Sequence, residues 1–196
     1  MIDPKLVLIT TFIAFRCANR EPNRNEHILT QFYNSSSRIE HLDHLSTDYE
    51  LHFGSVTGKG INKSQLANLL KWDYALNPDR QILEFIKLAR DTVILRSKEE
   101  NDFSKLIKYP GWESVNTYVI DERGLIKLQL YQPRNETSYK PYLKPAIEWL
   151  VAHDSLRLAE VYDLKDKALI QDSVSATKWI KLLREWRASN LPTYRK

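Results

Sequence analysis

The chain has 196 residues, of which 42% are hydrophobic and 28% are charged. That length allows one sizeable hydrophobic core with an appendage. The formal net charge is +4, and the Lys and Arg residues are scattered rather than gathered into runs. Because nucleic-acid binding depends on clustered basic residues, no nucleic-acid partner is predicted.

A short apolar run occupies residues 6–15. It is too short for an ordinary transmembrane helix, but it has the length of the apolar region of a signal peptide. Cys17, the single cysteine, follows it in a layout that resembles a bacterial lipoprotein signal, although Arg16 stands where that signal has a small residue. Two interpretations stay open for residues 1–24: a signal-like segment and linker with a lipid anchor at Cys17, or the buried start of a cytoplasmic protein.

Helices are predicted at residues 25–33, 37–45 and 62–72, where apolar residues recur at helical spacing. A short strand is predicted at residues 49–53. Its alternation places Tyr49, Leu51 and Phe53 on one face and Glu50 and His52 on the other. Residues 81–98 predict a strand pair or a bent strand with a break near Arg90, and residues 99–110 predict a polar linker.

A β-hairpin is the best-defined prediction, at residues 115–132 with its turn at 121–124. Pairing Ile120 with Leu125 sorts the side chains of both strands onto two faces. The apolar set is assigned to the interior and comprises Val115, Thr117, Val119, Ile126, Leu128 and Leu130. The other set is assigned to the outer face and comprises Asn116, Tyr118, Lys127 and Gln129. This assignment predicts an apolar sheet wall around any pocket.

The composition and the hydrophobic pattern of the chain change after residue 132. Three prolines and several polar residues predict a linker at 133–145, and helices are predicted at 146–152, 155–162 and 173–187. Strands and helices do not alternate regularly, so a doubly wound parallel sheet is not predicted. The sequence instead favours an α+β domain at residues 25–132, with a C-terminal helical extension at residues 133–196 packed on it.

Three passages carry a family resemblance. They are residues 45–54, the pair Gly58 and Gly60 leading into residues 62–66, and residues 100–103 ahead of the hairpin. Together they resemble the SnoaL-like branch of the nuclear transport factor 2-like (NTF2-like) superfamily. Residues 139–186 resemble the extension of some uncharacterised bacterial members. The resemblance implies a conical, curved antiparallel sheet that encloses N-terminal helices, an apolar pocket inside the cone, and homodimers formed through the outer sheet face.

Members of this superfamily include isomerases, cyclases, dehydratases and non-catalytic binding subunits, so the fold leaves the chemistry open. The first hypothesis is a protein that binds a small apolar molecule in the cone pocket. The second is an isomerase, dehydratase or cyclase that uses a polar group at the pocket mouth. The third is a non-catalytic dimeric interaction module. No cofactor is predicted, and a membrane contact is predicted only through the lipid anchor at Cys17.

Three residues are candidates for catalysis. Asp48 would act as a base, His52 as an acid or base, and Tyr33 as a hydrogen-bond donor. The alternative is that these three are surface or helix-capping residues.

Candidate ligand-binding residues are the aromatics Trp72, Tyr74, Phe85 and Trp112, together with Thr117, the one polar group assigned to the inner face of the hairpin. The alternative for the aromatics is plain core packing. His41 and His44 lie one helical turn apart, but no partner segment supplies further ligands, and no metal site is predicted.

Overall fold

The computed structural model describes residues 23–134 and 138–189. The predicted signal-like run and Cys17 lie outside these residues. The first part of the chain contains α1 (Arg24–Tyr33), α2 (Arg38–Asp43), β1 (Leu45–Phe53), β2 (Ile61–Asn62), α3 (Lys63–Ala75), β3 (Asp79–Leu88), β4 (Thr92–Glu100), α4 (Asp102–Ile107), β5 (Trp112–Ile120) and β6 (Ile126–Pro133). The second part contains α5 (Lys140–His153), α6 (Ser155–Ala159), β7 (Tyr162–Asp163), β8 (Ala168–Leu169) and α7 (Ser173–Ser189).

The first part folds as a curved, open sheet of six strands in the order β2-β1-β6-β5-β4-β3. Neighbouring strands run antiparallel except β1 and β6, which run parallel. Helix α1 contacts β3 and helix α3 contacts β1. Apolar side chains from these helices and from the strands form one buried cluster, which includes Leu29, Phe32, Leu66 and Leu95. The predicted α+β cone with a C-terminal helical extension is confirmed.

The predicted hairpin is present, but its register differs from the prediction. Ile120 pairs with Ile126, and Val119 pairs with Leu128, because a bulge at Lys127 separates these two pairs. A bulge of this kind adds one residue to one strand and changes which side chains face inward beyond it. Ile126 is therefore fully buried, although its neighbours Leu128 and Leu130 on the same predicted face are only half-buried.

The assignment of the hairpin faces was wrong. The buried face of β5 carries Ser114, Asn116, Tyr118 and Ile120, whereas Val115, Thr117 and Val119 are half-buried on the opposite face. Apart from Ile126 and Lys127 at the bulge, the two sets were sorted correctly, but the interior face was chosen by hydrophobicity alone. The polar groups of Asn116 and its neighbours are buried because they bond to one another, which removes most of the cost of taking them out of water.

A second buried cluster joins the extension to the cone. It combines Trp72 of α3, Leu76 at the C-terminal cap of α3 and Phe103 of α4 with residues of α5, α6 and α7. The ring of Trp179 in α7 is fully buried, and its Nε1 donates a hydrogen bond of 3.0 Å to the carbonyl oxygen of Val161. The predicted polar linker contains helix α4, which begins with a reciprocal capping box between Asn101 and Ser104. In the described ranges, no helix combines the length and apolarity needed to cross a membrane.

Candidate functional site

A cavity of about 230 Å³ lies between the helices and the inner sheet face; we call it the cone cavity. Apolar side chains of α1, β1 and α3 form one wall, namely Phe32, Leu51, Leu66 and Leu70. Polar side chains of β4, β5 and β6 form the opposite wall, namely Ser97, Ser114, Asn116, Tyr118 and Gln129. The predicted apolar sheet wall is thus replaced by a hydrogen-bonding one.

The polar wall is a connected hydrogen-bond network. Asn116 Nδ2 donates to Ser97 Oγ at 3.0 Å and to Ser114 Oγ at 2.7 Å. Its Oδ1 accepts a hydrogen bond of 3.0 Å from Gln129 Nε2, and Gln129 Oε1 accepts one of 2.8 Å from the Tyr49 hydroxyl. Asn116 is 1% exposed, so these bonds form away from bulk solvent. A network whose members satisfy one another holds its side chains in fixed orientations.

Two tyrosine hydroxyls meet at the same wall. The hydroxyl of Tyr33, at the end of α1, lies 2.9 Å from that of Tyr118 on β5. Burial raises the pKa of Tyr33 to about 12 and raises the pKa of Tyr118 well above its ordinary value. Both side chains are therefore neutral at physiological pH and act as hydrogen-bonding groups rather than phenolates.

His41 lines the cone cavity and carries an unsatisfied polar atom. The residue is 4% exposed, and its ring lies tilted against that of Phe32 with the centroids 4.0 Å apart. Its Nδ1 is buried and has no hydrogen-bond partner among the described residues. Burial lowers the pKa of His41 to about 3, so the imidazole is neutral. An unpaired buried polar atom of this kind is costly unless a bound molecule satisfies it.

Asp73, Arg80 and Glu99 are three of the four charged residues that line the cone cavity, and the fourth is Lys98. Arg80 at the start of β3 donates from Nε to Glu99 Oε2 at 3.0 Å, and its Nη2 lies 3.9 Å from Asp73 Oδ2 of α3. The guanidinium also lies over the ring of Tyr74, 5.1 Å from its centroid. The Arg80 side chain is 9% exposed, whereas about a third of each carboxylate side chain stays accessible. One cation is thus shared by two anions.

This arrangement changes the protonation of Asp73. Burial, followed by the negative charge of Glu99, raises the pKa of Asp73 to about 7 against the opposing effect of Arg80. A carboxyl group with such a pKa exchanges its proton near neutral pH, as general acid–base chemistry requires.

A second cavity, of about 360 Å³, lies on the other side of these carboxylates. We call it the junction cavity because residues of the cone and of the extension line it together. Its walls include Trp72 and Phe103 from the cone and Tyr139 and Leu169 from the extension. Asp73, Glu99 and Trp112 line both cavities.

The structure does not bring the three predicted catalytic residues together. Tyr33 lines the cone cavity, but Asp48 is exposed and accepts a hydrogen bond of 2.7 Å from Ser46 Oγ. This hydrogen bond lowers the pKa of Asp48. The side chain of His52 is buried on the face of β1 opposite Leu51. Its Nε2 lies 2.9 Å from Glu50 Oε2. Neither Asp48 nor His52 lines a described cavity of the cone.

The predicted ligand-binding residues are also dispersed. Trp112 lines both cavities and Trp72 lines the junction cavity. Tyr74 covers Arg80 and donates a hydrogen bond of 3.2 Å to the carbonyl oxygen of Ser35. Phe85 lines a separate surface hollow between α1 and β3. Thr117 lies on the outer sheet face, because the face assignment of the hairpin was inverted.

The sequence analysis did not identify several residues of the cone cavity as site residues. Ser114, Asn116 and Tyr118 recur at a spacing of two in β5, and Ser97 and Glu99 continue the buried face of β4 after Leu95. Matching polar alternation in two neighbouring strands was the available signal for a polar interior. In the part of the chain that the structure describes, no group of three or more His, Cys, Asp or Glu residues is placed to hold a metal ion.

No family model matches the chain. A curated relative, U3 small nucleolar RNA-associated protein 10 of Lodderomyces elongisporus, is 28% identical over 137 residues, which cover 65% of this chain. The chain spans about 7% of the length of that relative, so the activity of the whole relative is not transferred.

Solved structures similar to this chain are NTF2-like, SnoaL-like and cystatin-like proteins. An NTF2-like protein of unknown function from Cytophaga hutchinsonii is 8% identical with a TM-score of 0.44, covering 63% of this chain and 96% of that one. A SnoaL-like polyketide cyclase from Jannaschia sp. CCS1 is 8% identical with a TM-score of 0.43, covering 56% and 85%. The epoxide hydrolase/cyclase-like enzyme SalBIII is 8% identical with a TM-score of 0.47, covering 57% and 91%. No activity is carried from these proteins to this chain.

Proposed function

We propose that the protein binds a small molecule in the cone cavity, with the apolar part of the molecule against the helices and a carbonyl or hydroxyl group against the sheet. This proposal revises the hypothesis of a wholly apolar ligand. An apolar molecule would leave the Tyr33 and Tyr118 hydroxyls and His41 Nδ1 without new partners, whereas a molecule with polar groups can bond to them.

The observation that carries the proposal is His41 Nδ1, which is buried beside a cavity without a hydrogen-bond partner. The rest of the polar wall is internally bonded and preorganised, a property that reduces the entropy lost when a ligand binds. The cavity, at about 230 Å³, lies below the ~300–1,000 Å³ typical of sites for drug-sized ligands. A metabolite smaller than a drug molecule fits that volume.

The direct test is native mass spectrometry of the protein purified without added ligand, followed by identification of any released molecule. Affinity for the identified molecule is then measured for the wild type, Tyr33→Phe and Thr117→Val. Each substitution removes one hydroxyl, but Thr117 lies on the outer sheet face. Binding that weakens about two- to tenfold only in Tyr33→Phe supports the proposal, since one hydrogen bond contributes about 0.5–1.5 kcal/mol. Equal weakening in both variants contradicts it.

An isomerase, dehydratase or cyclase activity is the second candidate, and Asp73 favours it. Its carboxyl group lines the cone cavity and has a pKa raised to about 7 by burial and by Glu99. A carboxylate of this kind can remove a proton beside a carbonyl while the Tyr33 and Tyr118 hydroxyls bond to the developing oxyanion. Deuterium uptake from D₂O by a bound carbonyl compound, abolished in Asp73→Asn, is the expected signature. Unchanged uptake in that variant excludes Asp73 as the base.

A homodimer through the outer sheet face is proposed as the assembly in which the site works. This face carries half-buried Val115, Val119, Leu128 and Leu130 rather than the polar set expected from the sequence. Burying such side chains against a second copy contributes about 25 cal/mol per Å² of apolar surface. The apolar outer face of the sheet therefore favours a dimer more strongly than the polar outer face expected from the sequence would.

A further inference from the structure

We propose that the junction cavity is a second binding site, separate from the cone cavity, and that its ligand is a small organic cation of the alkylammonium class. The proposal rests on the chemistry of the lining residues. Aromatic rings and carboxylates line the cavity together, and no Lys, Arg or His is among its described lining residues.

The aromatic part of the lining is a packed array of rings. Trp72 and Phe103 contact each other edge to face with centroids 6.4 Å apart, and Phe103 contacts Tyr139 in the same way at 6.3 Å. Trp112 and the exposed ring of Phe53 complete the aromatic lining. Aromatic faces attract ammonium groups through their quadrupoles, and walls of several rings are the usual surroundings of quaternary ammonium ligands.

The carboxylates give the junction cavity a negative charge. Asp73 and Glu99 line both cavities, whereas Arg80, which pairs with them, lines the cone cavity and not the junction cavity. Above the Asp73 pKa of about 7, both acids are ionised and the trio carries two negative charges and one positive charge, so one negative charge is then left without a cation. About a third of each carboxylate side chain is accessible. A cation in the junction cavity would meet this charge, and an anion would be repelled.

The position of the cavity explains why the cone alone would lack this site. Tyr139, Leu169 and Gln171 come from the extension, while Asp73, Glu99 and Trp112 come from the cone. The volume, about 360 Å³, lies within the ~300–1,000 Å³ range of small-molecule sites. A neutral apolar ligand would also fit the rings, but it would cover the carboxylates without replacing their water, which is unfavourable.

The test is calorimetric titration of the full-length protein with choline chloride at constant ionic strength. The matched ligand is the uncharged isostere of choline, in which a carbon atom replaces the ammonium nitrogen. We expect choline to bind and the isostere to bind at least about tenfold more weakly, because only choline gains the cation–π and charge interactions. Absence of choline binding at millimolar concentration, or equal binding of the two compounds, overturns the proposal.

Variants separate the site from simple apolar binding and from the cone cavity. Asp73→Asn should weaken choline binding about tenfold, whereas Asp166→Asn, the same change at an exposed turn, should leave it unchanged. Phe53→Leu removes a ring that is 59% exposed, so it keeps the fold and should weaken binding about two- to tenfold. Tyr33→Phe alters only the cone cavity and should leave choline binding intact. Choline binding that is unaffected by both Asp73→Asn and Phe53→Leu excludes the junction cavity as the site.

Discussion

The hydroxyl of Tyr33 lies 2.9 Å from the hydroxyl of Tyr118, joining the end of α1 to the middle of β5 across the interior of the cone. The two residues are 85 positions apart in the chain. The contact therefore fixes a helix to the sheet and at the same time presents two neutral hydroxyl groups to the cone cavity. Stability and binding both depend on this pair.

We expect Tyr33→Phe to lower the free energy of unfolding by about 1–2 kcal/mol, because the fully buried Tyr118 hydroxyl loses its partner. The double variant Tyr33→Phe, Tyr118→Phe should recover part of that loss, since no buried hydroxyl is then left unpaired. Urea denaturation of the four proteins measures both effects. A double variant whose loss of stability equals the sum of the two single losses would show that each hydroxyl has its own partner.

The sequence predicted the fold because its local patterns agree with the tertiary structure. The strand residues Tyr49 and Leu51 share the inner face as predicted, and both are buried. Asn62, the first residue of a predicted helix, caps α3, with Gln65 completing a capping box. The break near Arg90 separates β3 from β4. Short-range alternation and capping chemistry are visible in one sequence and need no knowledge of distant contacts.

Most of the candidate site could not be predicted, because it depends on contacts between residues that are distant in the chain. Its polar wall forms because Asn116 bonds to Ser97 and Gln129, residues 19 and 13 positions away. Hydrophobicity alone places such residues outside, and only a pairing partner makes their burial tolerable. The Asp73–Arg80–Glu99 trio also joins three separate elements. Tyr33, identified as a candidate hydrogen-bond donor, and Trp112, identified as a candidate ligand-binding aromatic, do line the cone cavity.

Acid should destabilise the protein through His41. The pKa of this residue is lowered from 6.5 to about 3 by burial, so below pH 6.5 the unfolded chain takes up a proton that the folded chain excludes. The contribution of His41 is therefore fully present above pH 6.5 and is lost as the pH falls. Between pH 6.5 and 5 the loss is about 2 kcal/mol.

Comparison of the wild type with His41→Phe isolates this effect. Phe keeps an aromatic ring against Phe32 but does not titrate. When the pH falls from 7 to 5, the free energy of unfolding should decrease more for the wild type than for His41→Phe. An identical pH dependence in both would mean that His41 has the same pKa in the folded and unfolded chain.

Asp73 should produce the opposite pH dependence. Its pKa is raised from 3.8 to about 7, so between these values the folded chain keeps a proton that the unfolded chain has released. Stability from this group is present below pH 3.8 and is lost as the pH rises towards 7. About a third of the side chain is exposed, and after allowance for screening by solvent the loss is about 1–2 kcal/mol.

The measurement is urea denaturation of the wild type and Asp73→Asn at pH 4 and pH 8, since asparagine does not titrate. The stability of the variant relative to the wild type should rise between the two values. The variant Asp166→Asn, at an exposed position, is the control and should follow the wild type. A constant difference between the wild type and Asp73→Asn would place the Asp73 pKa near its ordinary value.

The proposed dimer is tested by charge on the outer sheet face. Leu128 and Val119 pair there across β5 and β6, and Leu128→Lys would place an ammonium group in the proposed interface. We expect light scattering to report a dimer for the wild type and a monomer for the variant, because an unpaired charge buried between two copies costs several kcal/mol. Val151→Lys, at a 52% exposed position of α5, should remain dimeric. A wild type that is monomeric at high concentration would contradict the proposal.

Gly111 holds Glu99 in position, and its replacement should disturb both cavities. Its φ is +91°, and a Cβ atom there would lie 2.6 Å from the backbone oxygen of Glu99. Gly54 has a comparable φ of +77° but open space around it. Gly54→Ala therefore measures the backbone strain, about 1–3 kcal/mol. Gly111→Ala should cost more than Gly54→Ala and should also weaken ligand binding, since Glu99 must move. Equal thermal destabilisation of the two variants with unchanged binding would show that β4 adjusts without displacing the Glu99 carboxylate.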